Sequence, residues 1–438
     1  MRQYSVVILI IIVIFSFFYV NIDFKNENDI ESQKINYNLS LEVKNIEKNA
    51  EKINIYAENI LLKAYIDQNK DAENIISGDV IIFETELKPV EYYAQKYQNK
   101  SYSYYLKSKK IDYTGYIKAV KVISHKNDIY SLRWKIVQGI EHYVDSIYKT
   151  DAPLYKALLY GDNSELSESV KQEFSHTGTA HLLALSGFHT AIILLFVNLL
   201  LKGISVKKRS FISIIILSIY VFITGAKPSI IRAVLFFVIY YASFIFEKKY
   251  NLISCAAICA ALMLSFNPYY LYEIGFQLSF LSILAIASFS LMLKMYKIPS
   301  ALSITISAQL FTAPVVAYSF GVISLSGSLS NLVIIPLISL DMIMFIFSLI
   351  IAPLFNNILF LKPLFIYYIH SIILLKDMII NINRWFEKLP LSYIDNVSLE
   401  IWKIMIYYAI ILIIYKLWQR KTIKENLYEF KPLPKIIT

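Results

Sequence analysis

Residues 329–352 read LSNLVIIPLISLDMIMFIFSLIIA, and this stretch decides the class of fold. It is long enough to cross a bilayer as a helix, since a crossing needs about 20 apolar residues at about 1.5 Å per residue. Asp341 is its only charged residue. The whole chain is similarly apolar, with 438 residues of which 56% are hydrophobic and 17% charged. This composition excludes a soluble globular protein and predicts a polytopic α-helical membrane protein.

Similar apolar segments fill the chain from His181 onward. They predict nine spans, at 182–201, 211–224, 229–246, 252–266, 276–293, 299–318, 329–352, 358–380 and 401–418. An earlier apolar run, from Tyr4 to Val20, lacks a small-residue cleavage site and predicts a retained anchor rather than a signal peptide. The total is about ten transmembrane segments, of which the short run at 211–224 is expected to be tilted or broken.

The residues between the anchor and the core are more polar. Short β-prone runs at 79–83 and 113–117 are typical of a small barrel. Further along, Leu166, Val170 and Phe174 recur at helical spacing before Gly178, which predicts an amphipathic helix on the membrane surface. The predicted domains are a transmembrane anchor (1–21), an inserted extracytoplasmic OB-like β-barrel (22–125), an amphipathic interfacial segment (126–179), a multi-spanning core (180–420) and a cytoplasmic tail (421–438).

Loop charges predict the orientation. Lysine and arginine cluster in alternate loops, including 202–209 and 294–297, whereas the loop at 267–273 carries neither. By the positive-inside rule, both termini lie in the cytoplasm of a bacterial inner membrane and the barrel lies outside.

Several polar side chains interrupt the apolar core, where a central charge costs about 2.5–3.5 kcal/mol on insertion scales. Such groups normally face a partner or a watery cavity, and they are therefore candidates for lining a transport path. They are His181, Ser186, His189, Arg232, Gln277, Gln309, Asn331 and Asp341. The alternative is structural, because amides can join helices by hydrogen bonds and an arginine near a helix end can reach the interface.

Ser186 and His189 are three residues apart and could touch, which suggests an intramembrane serine nucleophile with a histidine base. No orienting acid lies nearby in the sequence, and small residues such as Ser186 and Gly187 also serve close helix packing. Metal-binding and nucleotide-binding motifs are absent from the sequence, and its two cysteines, Cys255 and Cys259, lie within one apolar segment. We therefore predict no catalytic residue, no metal and no cofactor, and a protein that is not an enzyme.

Residues 88–121 are basic and rich in tyrosine, with eight lysines against two acids. Lysines for phosphates and flat rings for bases are typical of sequence-independent binding of single strands. The alternative is a solvated lysine-rich face with tyrosines in the barrel core. The candidate DNA-binding residues are Lys96, Lys100, Tyr102, Tyr105, Lys107, Lys109 and Lys110.

Several motifs resemble, in sequence and order, the ComEC-type competence family of DNA-internalisation channels. The strongest are ALLYGD at 157–162 and HLLALSG at 181–187. Further matches are His189, Pro228-Ser229, Arg232-Ala233, Asn267-Pro268, GFQLSF at 275–280, Gln309, Pro314, Phe320-Gly321, Asn331 and Pro336. The resemblance covers roughly residues 100–350. It favours a transport path over helix packing for Arg232, Gln277, Gln309 and Asn331.

The chain departs from the family pattern in two places. Tyr102, Tyr105, Leu106 and Ile111 are similar to the OB-fold signature of the family, but Lys110 stands where glycine is usual. Many family members carry a C-terminal metallo-β-lactamase-like domain, whereas this sequence lacks an H-x-H-x-D-H motif. The resemblance therefore implies that a separate nuclease degrades the non-transported strand.

The function that the resemblance implies is a channel for uptake of transforming single-stranded DNA during natural competence. The implied partners are DNA bound without sequence preference, membrane lipid, an external DNA receptor and a cytoplasmic ATP-driven translocase. Self-association into a homo-oligomer stays open. The alternatives are a small-molecule or lipid transporter, although no internal repeat is evident, and an intramembrane hydrolase.

Overall fold

The computed structural model describes residues 2–26, 33–49, 51–67, 69–92, 100–245, 251–357 and 361–429. The N-terminal part contains α1 (Arg2–Asn26), β1 (Gln33–Lys48), β2 (Lys52–Ala57), β3 (Ile60–Tyr65), α2 (Lys70–Glu73), β4 (Asp79–Pro89), α3 (Lys100–Ser108) and β5 (Tyr113–His125). The remaining elements are α4 (Ile129–Tyr148), α5 (Ala152–Tyr160), α6 (Glu168–His176), α7 (Gly187–Leu200), α8 (Val206–Ile223), α9 (Pro228–Ile245), α10 (Leu252–Phe266), α11 (Ile274–Met295), α12 (Ser300–Phe320), β6 (Ile323–Ser324), α13 (Gly327–Asn357), α14 (Lys362–Glu387), β7 (Tyr393–Ile394) and α15 (Ile401–Glu429).

The five N-terminal strands close into a barrel. Their order is β1-β2-β3-β5-β4, with β4 returning to β1, and every pair is antiparallel except β3 with β5. Alternate residues of β4 are buried, because successive side chains of a strand point to opposite faces. The predicted runs at 79–83 and 113–117 lie in β4 and β5, so the prediction of a barrel is confirmed.

Five helices of the described chain are long and apolar enough to cross a membrane. They are Ile274–Met295, Ser300–Phe320, Gly327–Pro353, Lys362–Glu387 and Ile401–Arg420. Shorter apolar helices occur at Leu9–Asn21, Gly187–Leu200, Pro228–Ala242 and Leu252–Phe266. The chain is thus a helical membrane protein, while the total of about ten spans stays a prediction. The run at 211–224 is not broken, since 211–223 belongs to the continuous helix α8, which begins at Val206.

The segment before the core differs from the single amphipathic helix that we predicted. It forms three helices, α4 to α6, and Leu166 lies in a bend before α6. Leu166 and Phe174 are nevertheless buried in one cluster with residues of α13 and α14, so their apolar spacing reflects tertiary packing. Gly178 follows α6 with a φ of +72° and ends it as predicted.

Candidate nucleic-acid interface

Aromatic and basic side chains alternate on one outer face of the barrel. Lys63 of β3 pairs in register with Tyr116 of β5, so both project to the same side. Tyr65, two residues from Lys63, stacks on Tyr116 with ring centroids 5.7 Å apart. Lys52 lies 4.9 Å above the Tyr65 ring. Strand register therefore builds a ladder of rings and ammonium groups.

Helix α3 extends this ladder. Tyr102 and Tyr105 are one turn apart, stack at 6.5 Å, and remain 38% and 42% exposed. The Lys63 ammonium donates to the Tyr102 hydroxyl at 2.7 Å, which joins the helix to the strands. Lys109 lies 4.8 Å from the Tyr105 ring. We call this set, namely Lys52, Lys63, Tyr65, Tyr102, Tyr105, Lys109 and Tyr116, the Tyr/Lys surface.

Three predicted lysines have other surroundings. Lys107 is buried and pairs with Glu91 at 2.8 Å and Asp112 at 3.2 Å, so its charge is already compensated inside the barrel. Lys100 is exposed at the start of α3, and Lys110 is exposed just after the end of this helix. Lys96 lies outside the described residues.

Lys109 lies beside a carboxylate on the barrel surface, that of Glu47. Its ammonium lies 3.9 Å from Glu47 and 3.4 Å from the Tyr56 hydroxyl, which itself donates to Glu47 at 2.7 Å. Burial lowers the pKa of Lys109, but Glu47 and Tyr105 raise it by more, so the net pKa is above the ordinary value. Lys109 therefore keeps its charge at neutral pH.

The unusual residue of the family signature has a defined role in the turn. Lys110 has a φ of +60°, its N–H donates to the carbonyl of Lys107, and the next amide, of Ile111, donates to Leu106. These two bonds form a Schellman motif, in which the left-handed position normally holds glycine. Leu106 and Ile111 pack together beneath it. The turn is intact, with a lysine in a conformation that glycine adopts more easily.

Helix α3 also fastens the barrel to the membrane helices. Tyr104 stacks on Tyr272 at 4.3 Å, in the 3-10 turn 268–272 between α10 and α11. The Asn267 amide donates to the carbonyl of Ser108 at 2.9 Å. Val20 of the anchor helix joins the same cluster. The Tyr/Lys surface is thereby held next to this turn.

Arg232 lies in α9 and pairs with an acid that we did not predict. Its guanidinium is 3.2 Å from Glu273, and the two side chains are only 7% and 17% exposed. Burial raises the pKa of Glu273, and the opposing effect of Arg232 does not fully offset it. The sequence offered one sign of this pair, because Glu273 is an acid in a loop that carries no lysine or arginine. Arg232 is therefore not a bare cation in the wall of a path.

Three amides of the core bind main-chain carbonyls in connections between helices. Gln277 donates to Leu271 at 3.0 Å, and Asn331 donates to Gly178 at 3.4 Å. Gln309 donates to the carbonyl of Ser324 and accepts from Ser328. These contacts hold the connections between helices in place.

Ser186 and His189 do touch, with Oγ and Nδ1 3.3 Å apart. They form a capping box at the start of α7, in which Ser186 Oγ accepts from the Phe188 amide and His189 Nδ1 accepts from the Ser186 amide. The Nδ1 lone pair of His189, which a general base would use to accept the serine proton, thus accepts a backbone N–H instead. His181 is exposed in the turn just before this helix.

Asp341 is buried in a different part of the bundle. It is 1% exposed, and its Oδ1 has no hydrogen-bond partner among the described residues. The neighbouring cation Lys376 is held by Asp151 at 2.5 Å and Asp377 at 2.7 Å. The structure places Asp341 beside Tyr155, in the cluster between α5 and α13, rather than with Arg232.

Comparisons with known proteins point to one family. Over 223 residues the chain is 33% identical to ComE operon protein 3 of Bacillus subtilis (strain 168), covering 48% of this chain and 27% of that protein. It is 30% identical over 186 residues to an uncharacterized protein of Aquifex aeolicus (strain VF5), covering 42% of this chain and 44% of that one. The chain thus matches less than half the length of each relative. No solved structure matches it. A family model described as competence protein matches residues 158–421, and the chain belongs to the competence protein family.

Proposed function

We propose that the chain is an inner-membrane channel for uptake of single-stranded DNA during natural competence. The observation that carries the proposal is the Tyr/Lys surface, which combines exposed rings with ammonium groups and is anchored by α3 beside the outer turn 268–272. Stacking on aromatic rings is worth about 1–3 kcal/mol per base and accepts any base, while lysines bind the phosphates. Membership of the competence protein family supports the same substrate.

The proposed route begins on the barrel. The strand binds on the Tyr/Lys surface outside the membrane, passes Lys109, and enters the helical core close to Arg232 and Glu273. An external receptor delivers the DNA, and a cytoplasmic ATP-driven protein pulls it inward. Both termini lie in the cytoplasm in this arrangement, and the core itself performs no chemistry on the strand.

The experiment that tests the function is a count of surface-bound and internalised labelled DNA. A naturally transformable bacterium deleted for this protein is complemented with wild type, Y102A/Y105A or Y102F/Y105F. We expect deletion to leave DNA bound outside and abolish internalisation. The alanine pair should lower internalisation, and the phenylalanine pair should restore most of it because the rings are kept. Unchanged internalisation in a competent deletion strain would refute the proposal.

A further inference from the structure

Two basic side chains at the junction of barrel and membrane helices lack a carboxylate within ion-pairing distance among the described residues. Arg133 of α4 donates from Nε to the carbonyl of Ile223 at 3.1 Å and from Nη1 to Asn45 at 2.9 Å. Lys227, between α8 and α9, donates to two carbonyls at the end of α5, at 3.0 and 3.1 Å. Neutral oxygens bind these donors but do not neutralise the charges, and uncompensated charge is costly away from water.

Both cations keep donors for a ligand. Lys227 uses two of its three N–H groups, and the Nη2 atom of Arg133 makes no hydrogen bond within the described chain. Both side chains are half-buried. The junction thus presents unused cationic donors that are partly shielded from water.

Glycines let the backbone pass close to both cations. A Cβ atom on Gly225 would lie 2.8 Å from Nη2 of Arg133, and one on Gly161 would lie 3.1 Å from Nζ of Lys227. Both glycines also have left-handed φ angles, +71° and +69°, which favour glycine. Larger residues would therefore crowd both cations.

Lys109 brings a third cation to the junction. It interacts electrostatically with Lys227, as does Arg133. The acids that face these three cations are Glu47, Asp162 and Glu273. Since Glu273 is paired with Arg232, the four cations and three acids leave a net charge of +1. The nearby pair of Arg232 and Glu273 adds no net charge. The junction therefore favours an anion.

We propose that Lys109, Arg133 and Lys227 form a binding site for the phosphodiester backbone of a single strand, where it leaves the barrel for the membrane core. This site rests on the proposed function and adds where the strand passes from the barrel to the membrane core. Lys109 belongs to both the Tyr/Lys surface and this site, so a strand whose bases stack on the tyrosines carries its phosphates to the three cations. This continuity favours a nucleic acid over a phospholipid headgroup.

The test uses the full-length protein in nanodiscs of phosphatidylcholine and fluorescein-labelled oligothymidylate, with binding followed by anisotropy over a salt series. The variants are R133Q/K227Q and the matched control K207Q/K208Q, which removes two exposed lysine charges at the other end of α8. Each phosphate contact of a single strand contributes about 0.7 to the slope of log K against log salt. We expect the slope of R133Q/K227Q to fall by about 1.4 and that of the control to stay unchanged.

The single variant K227Q, with an expected fall of about 0.7, covers the case in which loss of Arg133 disturbs folding. Equal slopes for R133Q/K227Q and wild type would overturn the inference, as would equal losses in R133Q/K227Q and the control. Unchanged slopes with loss of co-purified anionic phospholipid from R133Q/K227Q would assign the site to lipid. The uptake assay is separate: normal internalisation in the deletion strain with a lowered slope would refute the proposed function and leave the site standing.

Discussion

The buried pair of Arg232 and Glu273 allows a quantitative test of how the turn 268–272 is held to the core. At 3.2 Å, the attraction is about 5 kcal/mol with an effective dielectric constant of 20, before the cost of removing both charges from water. Removing one partner leaves the other charge buried without compensation. We therefore expect R232Q to destabilise the protein by about 3 kcal/mol. E273Q should cost less, because burial already disfavours the charged form of Glu273 and raises its pKa.

The double variant should be no less stable than either single variant, because two neutral amides can replace the pair without a stranded charge. The coupling energy in the double-mutant cycle is then about 3 kcal/mol. The measurement is unfolding of wild type and the three variants in detergent micelles titrated with SDS. Strictly additive losses would refute the reasoning, since they would mean that the two side chains act independently.

The same cycle has a pH dependence with a definite sign. Burial raises the pKa of Glu273 above its ordinary 4.5, and loss of the guanidinium raises it further. An acid with a raised folded-state pKa favours the folded state below its unfolded pKa, and this contribution is lost as pH rises through the folded pKa. The defect of R232Q should therefore shrink in acid, whereas Arg232 in E273Q stays charged and its defect should not. Equal pH profiles for the two variants would contradict this account.

Three further predictions follow from local geometry. Ser186→Ala should cost about 1 kcal/mol of stability because it removes the helix cap. Ser186→Thr and His189→Gln keep the capping box and should preserve the amount of protein in the membrane and DNA uptake. Loss of uptake in all three variants at normal protein levels would favour a catalytic pair. Lys110→Gly should raise stability by about 0.5–1 kcal/mol in thermal unfolding, while Lys110→Ala, which keeps the strain, should not. Y102A/Y105A should weaken oligothymidylate binding by about 1–3 kcal/mol per base lost, measured by anisotropy, with Y102F/Y105F near wild type.

The barrel and the apolar helices could be predicted because their signals are local. Alternation in β4 and long apolar runs such as 329–352 depend only on neighbouring residues. The same kind of local pattern did not give the correct helix boundaries in the segment that contains Leu166 and Phe174. Its apolar spacing arises from packing against α13 and α14, which are distant in sequence. A helical period was therefore inferred across a bend.

The sequence pointed to the types of residue in the candidate site, but it did not show which charged side chains pair with each other. The sequence identified Tyr102, Tyr105 and Lys109. It also identified Lys107, which is the same residue type but is buried and pairs with Glu91 and Asp112. Glu273 lies far along the chain from Arg232, so no local pattern joins them. Burial and charge compensation depend on the folded arrangement, and residue type alone does not reveal them.

The amides of the core share one structural role. Gln277, Gln309 and Asn331 each bind a main-chain carbonyl, in the turn 268–272, at Ser324 and at Gly178 respectively. Each of these carbonyls belongs to a connection between helices rather than to a helix interior. Of the three, Gln277 binds the turn 268–272, against which α3 of the barrel packs, so it helps to hold the barrel's attachment in place. Motif residues that were predicted to line a path therefore also hold the connections between helices.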